Sequence, residues 1–183
     1  MLPKIMLEKN LEYGTKLNIG YTKLCECTSN KLNCLTAKEW LKSQIGVWQF
    51  SYEKEDIRDK NIHPATFPIS LARKVIQLFT HEGELVVDPF VGSGTTLVAA
   101  KSLNRNAVGF DLHEEYIKLC GKRLADEKLF SNTSQIAIQD DARNIEKYFD
   151  DETISLIFTS PPYANLLNRP RKNKSRRDRN TEQ

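Results

Sequence analysis

Long apolar segments are absent from this chain. No run of about 18 or more apolar residues occurs, which is the length that a membrane-spanning helix needs. The start, MLPKIMLEKNLEYG, also lacks the apolar core of about 7–15 residues that marks a secretory signal. At 183 residues, with 39% hydrophobic and 28% charged residues, the composition is that of one ordinary globular domain. We therefore expect a cytoplasmic protein that makes no membrane contact.

Cysteine and histidine are scarce, with four and three residues respectively. Four cysteines do not make a disulfide scaffold at this length. Cys25, Cys27 and Cys34 form a C-x-C-x6-C pattern. The C-x2-C pairs that are typical of zinc sites are missing, and no histidine lies near these cysteines in the sequence. The sequence therefore predicts free thiols and no metal site.

Two common nucleotide-binding loops are also missing. Residues Asp88–Thr96 read D-P-F-V-G-S-G-T-T and follow the apolar run Leu85-Val86-Val87. A Walker loop would need a lysine after its last glycine, and Thr95 stands there. A nicotinamide-binding turn would need a third glycine, and Leu97 occupies that position. Both cofactor classes are therefore excluded.

What the loop does contain suits another nucleotide. Gly92 and Gly94 permit positive φ and let a ligand approach the backbone, and the following helix offers unpaired N–H groups. Asp88, directly before the glycines, would repel a pyrophosphate but suits a ligand with a cationic amino-acid moiety. S-adenosylmethionine (SAM) carries an ammonium and a sulfonium, so we predict SAM; the alternative is a tight strand-to-helix turn without a ligand.

The order of apolar patterns predicts the fold class. A capping box, Thr36–Glu39, starts a first helix. Further helices are expected over about 69–80, 95–103 and 113–128, and strands over about 85–88, 107–110, 135–139 and 154–158. Alternating strands and helices indicate an α/β fold with a doubly wound, mostly parallel sheet. In such sheets the ligand lies at the carboxyl ends of the strands. These ends are expected at Asp88, Asp111, Asp141 and Ser160.

Three motifs together resemble one enzyme family. D-P-F-V-G-S-G-T-T, H-P-A-T-F-P at 63–68 and T-S-P-P-Y at 159–163 closely resemble the SAM-dependent amino-methylating DNA methyltransferases, which modify N4 of cytosine or N6 of adenine. The resemblance covers about residues 36–168. It implies a SAM-binding and catalytic domain with a Rossmann-like sheet, of which about four of seven strands fit in this chain. Residues 1–35 would be a polar N-terminal segment, and 169–183 a basic tail.

The resemblance also implies which residues hold SAM. The aspartates have separate roles: the two carboxylate oxygens of Asp111 would accept both ribose hydroxyls, and Asp141 would meet the adenine amino group, with Asp140 as its rival. Asp111 could instead cap the helix that follows it. The full set of implied cofactor residues is His63, Pro64, Phe67, Asp88, Pro89, Phe90, Gly92, Ser93, Gly94, Thr95, Asp111 and Asp141.

The catalytic loop implied by the resemblance is Ser160, Pro161, Pro162 and Tyr163. The lone pair of an exocyclic amine is delocalised into the base and is a poor nucleophile. Acceptors on Ser160 and the Pro161 carbonyl would bind its N–H groups, and Tyr163 would stack on a base flipped out of the duplex. No Pro-Cys pair is present, which argues against the covalent cytosine-C5 route. Serine at position 160 favours cytosine N4, while N6 of adenine or an RNA base are alternatives.

The chain also departs from the family. Only 20 residues follow Tyr163, which is too few for the remaining strands and a DNA-recognition segment. We therefore expect a truncated or split enzyme, whose second chain completes the sheet and target recognition. Residues 169–183 contain seven basic and two acidic residues, which favours contact with the phosphates of double-stranded DNA. The expected function is a site-specific DNA methyltransferase of a restriction–modification system; the alternative is an inactive SAM- or DNA-binding fragment.

Overall fold

The computed structural model describes residues 5–9, 16–19, 22–44, 46–52, 56, 66–126 and 132–162. Within them, five parallel strands form one sheet in the order β1-β6-β5-β4-β7. These strands are β1 (Ile5–Lys9), β4 (Leu85–Asp88), β5 (Asn106–Asp111), β6 (Gln135–Gln139) and β7 (Leu156–Ile157). A short antiparallel hairpin pairs β2 (Lys31–Leu32) with β3 (Leu35–Thr36). The predicted parallel α/β fold is confirmed.

The helices follow the predicted pattern closely. They are α1 (Ala37–Ser43), α2 (Ile69–Phe79), α3 (Thr95–Ser102) and α4 (Glu114–Asp126), together with a 3-10 helix over Ala142–Lys147 that was not predicted. The capping box at Thr36 and Glu39 is confirmed, since each of the two side chains bonds the backbone of the other residue. Every helix in the described ranges is too short or too polar to span a lipid bilayer.

Both faces of the sheet are covered, as a doubly wound fold requires. Val86 points to the face that α2 and α3 cover, where it packs with Ile76 and Leu97. Leu85 and Val87 point to the other face and join a second core that includes Phe110. Successive side chains of β4 point to opposite faces, so this apolar strand contributes residues to both cores.

The two edges of the sheet differ from the expectation. β1 was not predicted; it pairs along its whole length with β6, so the sheet also draws on the segment 1–35. β7 is shorter than the predicted strand over 154–158 and pairs only through Leu156 and Ile157. Within the described residues β7 has a neighbour on one side, and Ile157 is 56% exposed. Among the described residues, the strand that leads to the S-P-P-Y motif therefore lies at the edge of the sheet.

Candidate active site

A cleft with a volume of about 310 Å³ lies at the carboxyl ends of the central strands. The loops after β4, β5, β6 and β7 all contribute to it, so it stands where a doubly wound sheet places its ligand. Its lining residues are Thr66, Phe67, Pro89, Phe90, Val91, Ser93, Thr95, Asp111, Leu112, His113, Tyr116, Asp140, Asp141, Ala142, Ser160, Pro161 and Pro162.

Most of the sequence-predicted residues meet in this cleft. The predicted residues that line it are Phe67, Pro89, Phe90, Ser93, Thr95, Asp111, Asp141, Ser160, Pro161 and Pro162. Asp88, Gly92 and Gly94 lie beneath this surface, where all three are buried. His63, Pro64 and Tyr163 lie outside the described residues.

Asp88 is an internal anchor for two loops. Its side chain is 1% exposed. One carboxylate oxygen accepts hydrogen bonds from the Phe90 N–H (3.1 Å) and the Thr159 hydroxyl (2.7 Å), and the other accepts from the Thr96 hydroxyl (2.5 Å). Burial raises the pKa of this carboxyl above its ordinary value. Asp88 therefore ties the glycine loop, the first turn of α3 and the S-P-P-Y loop together; its predicted contact with SAM stays a prediction.

Gly94 shapes the turn from β4 into α3. It adopts the left-handed conformation (φ 84°) and forms the N-cap of α3. A Cβ added at this position would lie 2.4 Å from the Sγ of Cys120 on α4. Only glycine therefore satisfies both the backbone conformation and the close approach of α4.

Arg123 supports the same loop from below, which sequence reasoning missed. The Arg123 guanidinium is buried and donates to the Ser93 carbonyl (2.9 Å), the Ser93 hydroxyl (2.9 Å) and the Thr95 hydroxyl (3.1 Å). It lies on α4, 30 residues after Ser93, so no local pattern marks it. The guanidinium fixes the loop conformation from behind the cleft.

Asp111 makes two backbone hydrogen bonds at the cleft. One carboxylate oxygen accepts a hydrogen bond from the Gly92 N–H (3.1 Å) and the other from the His113 N–H (2.9 Å). The second bond satisfies the His113 N–H just before α4 begins. The His113 carbonyl accepts the first helical hydrogen bond, from the Ile117 N–H, so Asp111 bonds the residue that starts the helix and is not itself the N-cap. Each carboxylate oxygen accepts more than one hydrogen bond, and Asp111 also lines the cleft.

The two adjacent aspartates after β6 have different partners. Asp140 accepts hydrogen bonds from the Tyr148 hydroxyl (2.6 Å), the Asn144 amide (2.8 Å) and the Asp141 N–H (2.7 Å). Asp141 pairs with Arg143 at 2.7 Å, and hydrogen bonds from Arg143 lower the pKa of Asp141 to about 2. The Arg143 side chain is 89% exposed. Asp140 is thus held by three groups of the fold, whereas the Asp141 carboxylate bonds only Arg143 among the described residues, through its backbone N–H and its exposed side chain.

The S-P-P-Y loop is fixed before it reaches the cleft. The Phe158 N–H donates to the Val87 carbonyl at 3.0 Å, and the Phe158 ring packs edge-on against Phe67 with the centroids 5.4 Å apart. Thr159 then bonds Asp88. Ser160 follows as an exposed residue whose hydroxyl makes no hydrogen bond within the described part of the chain. The Ser160 hydroxyl is therefore available as a hydrogen-bond acceptor, on a loop that the Thr159–Asp88 bond holds in place.

Family models match most of the chain. One, described as DNA methylase, matches residues 7–122, and a second, described as D12 class N6 adenine-specific DNA methyltransferase, matches residues 70–181. Each covers more than half of the sequence. Both matches include the glycine loop and Asp111, which lines the cleft.

Several curated proteins and solved structures are similar over part of their length. Type II methyltransferase M.HpaI of Haemophilus parainfluenzae is 40% identical over 44% of this chain and 26% of its own length. M2.DpnII of Streptococcus pneumoniae is 42% identical over 47% of this chain and 32% of its own length. M.HinfI of Haemophilus influenzae is 35% identical over 61% of this chain and 36% of its own length. The structure of the M1.HpyAVI–SAM complex is 35% identical, with a TM-score of 0.37 over 43% of this chain and 36% of that one. The chain thus spans about a quarter to a third of these relatives' length.

Proposed function

This chain belongs to the DNA methylase family, and on that premise we propose that it binds SAM and directs its methyl group to an exocyclic amine in double-stranded DNA. SAM supplies an electrophilic methyl group on a sulfonium when it is bound. The observation that carries the proposal is the convergence of Asp111, Asp141 and the Ser160–Pro162 loop on one cleft. These groups follow three different strands of the sheet, and each offers acceptor oxygens.

The cleft fits SAM in size and chemistry. Its volume of about 310 Å³ falls at the lower end of ligand pockets, which are about 300–1,000 Å³. The ribose diol and the adenine amino group of SAM are hydrogen-bond donors, and Asp111 and Asp141 are acceptors. Phe90 and Leu112, which are 42% and 62% exposed, supply apolar surface for a flat base. The family assignment supports the same cofactor.

The different partners of the two aspartates favour Asp141 as the adenine contact. An exposed ion pair such as Asp141–Arg143 contributes little to stability, so another donor can replace Arg143 at small cost. The partners of Asp140 are fixed groups of the fold, and a ligand would have to break internal hydrogen bonds. Asp140 therefore acts as a positioning residue, which holds the Asp141 backbone through its N–H.

The S-P-P-Y loop would act on the base that receives the methyl group. The Ser160 hydroxyl and the Pro161 carbonyl can accept the two N–H groups of an amine and direct its lone pair into the cleft. A base inside a duplex cannot reach this loop, so the base must be flipped out. The bond from Thr159 to Asp88 keeps the acceptors aligned with the glycine loop during this step.

We propose N4 of cytosine as the target, in a restriction–modification context. Serine rather than an acid at position 160 supports cytosine, and the Type II methyltransferases among the relatives support the context. N6 of adenine is the second candidate, because the D12 model is described as adenine-specific. In the described part of the chain β7 has an exposed edge, which supports a second chain that adds strands beside it.

Labelled SAM and duplex DNA of mixed sequence test this proposal. The purified chain is incubated with both, and the DNA is digested to nucleosides. If this chain transfers the methyl group without a second chain, we expect label in N4-methylcytosine and its loss in a Ser160→Ala variant. Label in N6-methyladenine would instead support the second candidate. If the chain binds SAM but leaves the DNA unlabelled, transfer by this chain alone is refuted.

A further inference from the structure

Four soft ligand atoms converge at the amino end of β4, opposite the cleft. The Sγ atoms of Cys25 and Cys34 lie 3.4 Å and 3.6 Å from the Nδ1 of His81. The Cys27 thiol donates to the Cys25 sulfur at 3.2 Å. All four ligand atoms lie within 4.8 Å of one another. His81 follows Cys34 by 47 residues, so the sequence pattern alone did not reveal this histidine.

The spacing of these atoms agrees with a tetrahedral zinc site. With Zn–S of about 2.3 Å and Zn–N of about 2.0–2.1 Å, tetrahedral geometry puts two sulfurs about 3.8 Å apart and a sulfur about 3.6 Å from a nitrogen. The two distances from His81 Nδ1 match the second value within 0.2 Å. The Cys25–Cys27 Sγ–Sγ distance of 3.2 Å is shorter than the first value, so these two sulfurs would move about 0.6 Å apart on binding the ion. Three cysteines and one histidine also form one of the common sets of structural zinc ligands.

The backbone brings the cysteine segment against the turn between α2 and β4. The Leu24 N–H donates to the Glu82 carbonyl at 2.7 Å. Gly83 has a φ of 86°, and a Cβ there would lie 2.3 Å from the Leu24 Cγ and 2.5 Å from the Thr22 carbonyl oxygen. Close contacts of Thr22 and Leu24, which precede Cys25, with Glu82 and Gly83, which follow His81, therefore hold these two ligands together.

Cys34 is also held in place, and His81 has a further backbone contact. Cys34 lies in the turn between β2 and β3, next to Asn33, whose side-chain amide donates to the Leu78 carbonyl on α2. The His81 N–H donates to the Glu84 carboxylate at 2.6 Å. The hairpin and the end of α2 are thus joined around the cluster.

A buried cation stands beside the cluster. Arg105 is 2% exposed, and its guanidinium donates to the Thr80 hydroxyl and carbonyl and to the Leu103 carbonyl, which are all neutral. Thr80 directly precedes His81, so the Arg105 guanidinium lies next to the turn that carries this ligand. A zinc ion with three thiolates and a neutral imidazole carries a net charge of −1. Arg105 would offset that charge in a buried position.

We propose that Cys25, Cys27, Cys34 and His81 bind a structural Zn²⁺ ion. Four protein ligands fill a tetrahedral shell and leave no open position for a substrate, which is the hallmark of a structural zinc site. The ion clamps the segment 22–36 to the turn that leads into β4. It thereby supports the strand that carries Asp88 and the glycine loop, from the opposite end of the sheet.

Metal content of the purified full chain tests the proposal independently of methyl transfer. Protein expressed with zinc in the medium is measured by inductively coupled plasma mass spectrometry. We expect about one zinc per chain, lost in a Cys25→Ser/Cys27→Ser variant and kept in Cys120→Ala, which removes the buried cysteine outside the cluster. A His81→Cys variant keeps the metal, because four thiolates also bind zinc.

A spectroscopic experiment on the wild-type chain tests the proposal even if the variants do not fold. Cobalt(II) is added to metal-stripped wild-type chain, and thiolate-to-cobalt charge-transfer absorption is expected to saturate at one equivalent. X-ray absorption on the zinc form should give three sulfurs at about 2.3 Å and one nitrogen at about 2.0–2.1 Å. Wild-type chain that carries no zinc and binds no cobalt would overturn the proposal, as would zinc retained by the double variant. A Cys25–Cys27 disulfide in metal-free protein would assign the cysteines to redox chemistry instead.

Discussion

The Thr159 hydroxyl donates a 2.7 Å hydrogen bond to Asp88, across 71 residues of sequence. It joins the loop that follows the edge strand β7 to the loop that follows β4. Since Ser160 comes directly after Thr159, this one bond sets the position of the proposed acceptor relative to the proposed cofactor loop. The two halves of the site are therefore coupled through a buried carboxylate.

The Thr159→Val substitution should remove the hydrogen bond that joins the loops after β4 and β7. The variant keeps the shape of the side chain but removes a donor to a buried, charged acceptor, a hydrogen bond that contributes about 1.5–3 kcal/mol. We expect the free energy of unfolding in urea to fall by about that amount. Thr159→Ser keeps the hydroxyl and should stay close to wild type. Equal losses in both variants would show that the methyl group, and not the hydrogen bond, is what matters.

The raised pKa of Asp88 predicts how stability depends on pH. Burial raises the folded-state pKa above the unfolded value of about 3.9. A carboxyl of this kind contributes stability that is fully present below the unfolded pKa and is lost as pH rises through the folded pKa. The Asp88→Asn variant should lack this loss, so its stability relative to wild type rises from pH 4 toward neutral pH. Denaturant titrations at a series of pH values measure this, and parallel curves for the two proteins would refute the assignment.

Replacing Arg123 should damage the glycine loop without touching the cleft surface. Arg123→Met leaves the Ser93 carbonyl and two hydroxyls without their buried donor, and we expect a loss of about 1–3 kcal/mol in unfolding free energy together with weaker SAM binding. Arg143→Met is the matched control, because Arg143 is exposed and its loss should change stability by less than about 0.5 kcal/mol. Similar effects of the two substitutions would argue against a special role for Arg123.

Gly94→Ala should be costly for two separable reasons. The φ of 84° disfavours any Cβ by about 1–2 kcal/mol, and the new methyl group would collide with the Cys120 sulfur. Adding Cys120→Ala should relieve the collision but not the backbone strain, so the double variant recovers only part of the stability. Gly46→Ala, where a Cβ meets nothing within 4 Å, controls for the substitution itself. Full recovery in the double variant would mean that the backbone strain is negligible.

The sequence predicted those elements that local patterns specify. β4 and β6 have the predicted bounds because a short apolar run specifies each of them. β1 was not predicted because Ile5–Lys9 has no clear period, and the strand is defined by its pairing with β6. The 3-10 helix after Asp141 is likewise too short to show a period.

Long-range contacts explain what the sequence could not reveal about the two sites. The carboxyl ends of the strands predicted that Asp111, Asp141 and Ser160 would meet, and they do line one cleft. Nothing local indicated that Arg123 would support Ser93, or that His81 would join three cysteines from another segment. Both arrangements depend on how helices and loops pack on the finished sheet, which no window of sequence contains.

Calorimetric titration of the purified chain with SAM tests the central claim most directly. Wild-type chain should bind one SAM per molecule. Asp111→Ala, which removes the acceptors proposed for the ribose hydroxyls, should weaken binding at least tenfold, or by about 1.4 kcal/mol. Asp151→Ala, an exposed acid outside the cleft lining, should leave the affinity unchanged. A folded wild-type chain that does not bind SAM, or equal affinity of wild type and Asp111→Ala, would contradict the account.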